Sequence, residues 1–251
     1  MPFISFDLEI ATELPDAGRD WVRHRPGIAC AAIMREGDAQ PTVMFDPGAS
    51  PGLYDDRTKA MTGPACDSLV TMLSAAVEDG RTIVTWNGLG FDFPILAVES
   101  GRHPECVELA LGSVDMMFQV FCQKGYPLKL DAALAGMRLP AKTHSVQLKD
   151  GRVASISGAE APGLWRAGEH AAVMAYCGDD ARRTLALAVE GERRGRLVWQ
   201  SRRGTPNQID VGRRWLTVRE CLRLPLPDTS WMTDPLPRER FTGWMGPRAG
   251  V

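Results

Sequence analysis

"FISFDLEIAT", residues 3–12, reads as a buried apolar strand with two carboxylates set into it. Side chains alternate faces along a strand, so Asp7 and Glu9 point the same way and Leu8 points to the other face. Two neighbouring carboxylates repel each other and resist burial, and a cation is the compensation that such a pattern asks for. The question is whether further carboxylates reach the same place from elsewhere in the chain.

Two segments qualify. In "TIVTWNGLGFDFPIL" (82–96), a short apolar strand runs into the turn 87–90, and Asp92 opens the helix after it. Ligands of α/β sheets collect at such strand ends. In "AYCGDDARRTL" (175–185), Tyr176 and Asp180 are four apart and share one helix face, while Asp179 is rotated away. Each feature alone has an ordinary explanation: an exposed strand face, a helix cap, a surface contact.

The surrounding pattern alternates strands and helices. Residues 2–10, 27–36 and 41–47 read as three strands, the last two joined by the turn "GDAQ", so the sheet is expected to start antiparallel. Leu69, Val70, Leu73, Ala76 and Val77 set a helix over 65–79 that Gly80 ends. A strand at 81–86 precedes a helix at 91–101, with Pro94 tolerable in its first turn. A short strand gives way to a helix near Asp115, and further helices are expected at 130–139 and 168–195. Residues 140–167 are polar and Gly-rich, hence a loop or mobile flap. Past residue 200 there is little periodicity, and Trp215, Trp231 and Trp244 are expected to pin an extension to its own domain.

Composition narrows the class. The 251 residues allow one large domain, or one domain plus an extension. No uninterrupted apolar run reaches membrane-spanning length, and no basic leader precedes the first strand, so neither a membrane span nor a signal peptide is expected. Six scattered cysteines without a CxxC pair fit reduced, buried thiols of a cytoplasmic protein rather than a zinc site. Charge is uneven: residues 181–251 hold 14 arginines, no lysine and seven acids, a net +7 against −9 for the rest. Such a basic third could draw a polyanion toward a metal site, or form a solvated helix face.

The segments "FDLEIA" (6–11), "WNGLGFDFPIL" (86–96) and "YCGDDARRTL" (176–185) resemble, in order, the three motifs of the DEDD superfamily of 3′–5′ exonucleases. The second and third are most similar to the proofreading domains of family B DNA polymerases. Asn87, Phe91, Asp92 and Pro94 follow the spacing seen there, and "LDAALAGMRLPAK" (130–142) resembles the segment before the third motif. Position 175 is Ala and 176 is Tyr, which places the resemblance in the tyrosine branch.

The resemblance implies a ribonuclease-H-like α/β fold over residues 1–199, a mixed central sheet flanked by helices, with residues 200–251 packed on it. It implies a freestanding, two-metal 3′–5′ exonuclease acting on single-stranded ends, DNA more than RNA. Asp7 would bridge two Mg²⁺ or Mn²⁺ ions, Glu9 and Asp180 would complete the site of the ion that activates water, and Asp92 would help hold the second. Tyr176 would orient the water, since a phenol is a weak base at neutral pH. Leu8, Asn87 and Phe91 are the expected substrate contacts, although Asn87 also suits a turn and Phe91 a core. Lys142 and His144 lie in a loop that could overhang the cleft. The alternatives are an exoribonuclease, an idle nucleic-acid-binding module of the same fold, and a phosphatase for small phosphates.

Overall fold

The computed structural model describes residues 2–14, 25–44, 54–55, 60–201 and 203–249. Residues 45–47 of the expected third strand and Arg202 lie outside the described residues.

Strand β1 (Phe3–Ile10) pairs on both edges, which makes it the centre of the sheet. It runs antiparallel to β2 (Ile28–Arg35), which in turn pairs antiparallel with β3 (Thr42–Met44). A two-stranded ribbon follows, β4 (Tyr54–Asp55) with β5 (Ala60–Met61). Helix α1 (Gly63–Glu78) then leads to β6 (Thr82–Thr85), parallel to β1. Helices α2 (Asp92–Ser100) and α3 (His103–Gly112) connect to β7 (Val114–Asp115), parallel to β6. The five strands stand in the order β3-β2-β1-β6-β7, and the protein is α/β with a mixed sheet flanked by helices.

The two faces of β1 meet different layers. Ile4, Phe6, Leu8 and Ile10 are buried on one face, where the Phe6 ring lies 5.7 Å from that of Phe93 in α2. Burying each of these side chains contributes about 1.5–3 kcal/mol. Phe3, Ser5, Asp7 and Glu9 occupy the opposite face. The long helix α7 crosses there, after α4 (Met116–Lys124), α5 (Leu130–Met137), the ribbon β8 (Ser145–Gln147) with β9 (Val153–Ser155), and α6 (Ala161–Arg166). Helix α7 spans His170–Arg194 and stops at Gly195, whose φ of 66° suits a residue without a Cβ. The chain continues through the hairpin β10 (Arg196–Gln200) and β11 (Pro206–Asp210) to the short helices α8 (Val218–Cys221) and α9 (Glu239–Thr242).

Two expectations change. Residues 140–167 hold a hairpin and a helical turn rather than an irregular loop; only three residues per strand carry the pairing, too few for a visible period. Helix α3 has no counterpart in the sequence reading, its start being set by Pro104 just inside the first turn. Beyond residue 200, Trp215 is buried and its indole N–H donates to the Ala188 carbonyl at 2.8 Å, while Phe241 packs against Phe121 at 4.7 Å.

Helix α5 lies so close to β10 that Gly136 has no room for a side chain: an added Cβ would sit 2.0 Å from the Val198 carbonyl oxygen. Gly136→Ala is therefore expected to destabilise the protein by about 2–3 kcal/mol. At this chain length the thermal midpoint should drop by roughly 5–10 °C. A midpoint unchanged in a thermal melt would mean that the helix shifts freely on the hairpin.

Candidate metal centre

The register of β1 explains why carboxylates can sit in the middle of a sheet. Along β1, strand β6 pairs only with Phe3, Ile4 and Ser5, and β6 ends at Thr85. From Phe6 onward β1 has β2 on one side and no strand on the other. The backbone N–H of Leu8 meets the Asp92 carboxylate instead, Oδ1 accepting at 2.9 Å. The stretch of β1 beyond this pairing carries Asp7, Leu8 and Glu9, which line the cavity of the site.

Asp115 shapes the turn between β6 and α2. It caps α4 by accepting from Phe118 N at 3.0 Å, and it also accepts from the backbone N–H groups of Asn87 (3.0 Å) and Leu89 (2.9 Å). Asn87 adopts a left-handed conformation, φ 69°, which asparagine tolerates better than most residues. Trp244 reaches the same turn from the C-terminal segment, donating its indole N–H to the Leu89 carbonyl at 2.8 Å. Asp92 is thus delivered by a turn held from two sides.

Helix α7 supplies the rest. Tyr176 and Asp180 lie one turn apart on its inner face, both buried. One carboxylate oxygen each from Asp7, Glu9 and Asp180 falls within 4.8 Å of the others. Asp7 Oδ2 and Asp180 Oδ1 are buried with no hydrogen-bond partner. Asp92 is not in this group of three, yet it lines the same cavity of about 470 Å³ with Asp7, Leu8, Glu9, Asn87, Phe91, Tyr176 and Asp180. The five expected catalytic residues and the three expected substrate contacts therefore all line one cleft.

Of the two loop residues expected near the cleft, Lys142 enters it. Its ammonium lies 2.6 Å from Asp180 Oδ2 and donates to the Tyr176 hydroxyl at 3.0 Å. Asp179 anchors the adjoining backbone: its Oδ2 accepts from Thr143 N (3.0 Å) and Oγ1 (2.9 Å), and the carboxylate pairs with Arg183 at 3.1 Å. The residue that α7 turns away from the cluster thus positions the lysine that enters it. His144 is exposed and meets Asp131 at 3.2 Å, outside the cavity lining. Leu236, Arg240 and Phe241 close another wall, a contribution from the C-terminal segment that no local pattern advertised.

The electrostatics are those of crowded acids. Burial, then the charges of Asp92 and Asp180, hold the Asp7 carboxyl well above the ordinary range, with Lys142 opposing. Burial and then Asp7 and Asp180 do the same to Glu9. Burial pushes Asp92 up to about 8, moderated by the Leu8 N–H and reinforced by Asp115. Asp180 is raised by burial, against the pull of Lys142. Burial would lower Lys142, but Asp180 and Tyr176 more than reverse that, and its ammonium is held charged. Burial and Asp180 raise the Tyr176 phenol, so it keeps its proton at neutral pH.

Elsewhere, the arginine run is largely paired. Arg182 bonds to Gln40, and Arg193 and Arg194 each reach Glu190 at 2.6 Å. All six cysteines are buried free thiols. No helix among the described residues is long and apolar enough to cross a membrane. No family model matches the sequence, and neither the curated proteins nor the solved structures give a match.

Proposed function

We propose that this chain is a metal-dependent 3′–5′ exonuclease of ribonuclease-H-like fold that shortens single-stranded nucleic acid, DNA in preference to RNA. The observation that carries this reading is the pair of buried, unpartnered carboxylate oxygens, Asp7 Oδ2 and Asp180 Oδ1, within a cluster of three acids. Buried anionic oxygens without donors are costly, and a hard divalent cation is the ligand that suits an all-oxygen donor set. Asp7, Glu9 and Asp180 would hold one Mg²⁺ or Mn²⁺, and Asp7 with Asp92 a second. Bound there, such a pair supplies water acidified at neutral pH and neutralises charge on the phosphate.

The chain's own residues complete the chemistry. Tyr176 retains its proton, so it orients a water molecule by hydrogen bonding instead of abstracting a proton from it. The Lys142 ammonium places a fixed positive charge beside the carboxylates, where a phosphate oxygen can take up part of its hydrogen bonding. Phe91 offers an apolar surface for a terminal base and sugar, and Asn87 a polar group beside it. Arg240 on the far wall adds a second cation for the strand's backbone.

The test uses a 5′-labelled single-stranded DNA and the matching RNA, each with Mg²⁺, Mn²⁺ or EDTA. The expected result is a metal-dependent ladder shortening from the 3′ end, faster on DNA. A faster RNA ladder would make the protein an exoribonuclease. Binding without shortening of either strand would leave a nucleic-acid-binding module and sink the enzyme reading.

A further inference from the structure

Trp231 is two-thirds exposed, an unusual position for a tryptophan that nothing in the carboxylate centre uses. It is nevertheless held in place. Its indole N–H donates to the Asp228 carbonyl at 3.1 Å, and its ring meets Tyr126 edge-on, with centroids 6.2 Å apart and planes at 79°. Tyr126 in turn stands edge-on to Trp199 at 6.5 Å. The loop carrying Trp231 is seated on the end of α4, where a Cβ at Gly125 would strike Thr229 at 2.5 Å.

These three aromatics frame a cavity of about 870 Å³, inside the ~300–1,000 Å³ span of sites that accept small organic groups. Pro127 and Leu128 line both this cavity and the carboxylate cleft, so the two spaces adjoin. Among its lining residues there is no carboxylate, whereas Lys129 is present with the polar Ser201, Thr205 and Asn207. Arg203 lies in the turn between Ser201 and Thr205 and is exposed. A preorganised aromatic face, neutral polar groups and cations beside a phosphodiester-cleaving centre match what a single strand requires: π surfaces for bases and positive charge for the backbone.

We infer that the cavity framed by Tyr126, Trp199 and Trp231 is a nucleobase-stacking subsite that holds the single strand upstream of the 3′ end engaged at the carboxylates. The inference rests on the exonuclease reading for its direction of travel. The subsite makes the protein a reader of strand length. A short oligonucleotide fills the carboxylate cleft alone, and a longer one gains the stacking site as well.

Fluorescein-labelled oligothymidylates of about two to about twelve nucleotides, titrated in EDTA by anisotropy, measure this without hydrolysis. The wild type should gain affinity as the oligomer becomes long enough to span both sites. Trp231→Ala should remove about tenfold of that gain, the usual size of one stacked base, and leave the shortest oligomers unaffected. Trp231→Phe should recover most of it. Affinity independent of length, no binding at all, or a Trp231→Ala titration matching the wild type at every length would each overturn the subsite; the last is also what a protein segment as the true occupant predicts. Ladders run with the same preparations report on catalysis separately, so a Trp231-dependent length effect without shortening would retain the subsite and remove the exonuclease.

Discussion

Asp7→Ala should lower the rate of 3′-end hydrolysis by on the order of 1,000-fold, the scale on which a single group stabilising developing charge is missed. Asp7 contributes an oxygen to the three-acid cluster and, at the centre of the cleft, is the ligand that both proposed ions would share. Substitution there should not cost the fold. The backbone of Asp7 keeps its pairing with Ala32 whatever the side chain, and the carboxylate is a source of repulsion in the metal-free protein. Without metal, the variant should therefore melt no earlier than the wild type, and it should lose the rise in melting temperature that Mn²⁺ gives the wild type. Rates on the labelled DNA and melts with and without Mn²⁺ check both halves. Activity within tenfold of wild type would remove Asp7 from the centre.

The metal-free protein should lose stability as pH rises from about 4 to about 8. An unfolded aspartate gives up its proton near the bottom of that window, whereas folded Asp92 keeps it to about 8. Across the interval the native state binds the extra proton, so raising the pH favours the unfolded chain. Asp7, Glu9 and Asp180 shift in the same direction and steepen the slope. Lys142 works against it, and Lys142→Met should cost about 3–5 kcal/mol at pH 8, the range for uncovering one member of a buried pair. At pH 5, where the acids can take up protons, the loss should be much smaller. Saturating Mg²⁺ or Mn²⁺ should flatten both profiles. Melts in EDTA across the pH range test this; stability climbing through the window, or a Lys142→Met loss equal at both ends, would contradict it.

The parts of the centre that were legible share a physical cause. Asp7 and Glu9 interrupt a strand whose other residues are apolar, Asp92 follows a strand and a glycine-rich turn, and Tyr176 and Asp180 keep helical spacing. In each, local periodicity fixes the direction of the side chain. Lys142 has no such frame. It comes from a segment without regular period, and its approach to Asp180 depends on Asp179 catching Thr143, a contact 36 residues apart in sequence. Arg240 and Phe241 enter from nearly 150 residues beyond Asp92, through packing that leaves no pattern in either segment. The tryptophans divide for a similar reason: Trp215 and Trp244 pin the C-terminal segment as tryptophans usually do, whereas Trp231 faces solvent, and nothing in the sequence distinguishes it.

The early exit of β6 from the side of β1 bears on the order in which the molecule is made. Asp92 takes the Leu8 N–H across 84 residues of sequence, and Asp180 comes from farther along the chain still, on a helix that packs on the sheet. Closing loops of that length is slow compared with forming any one helix or hairpin. Asp92 and Asp180 consequently stay away from the Asp7–Glu9 pair until distant parts of the chain have condensed, and the full repulsion among the four acids is felt only by a nearly finished protein. A half-folded chain emerging from synthesis therefore carries no assembled four-acid cleft.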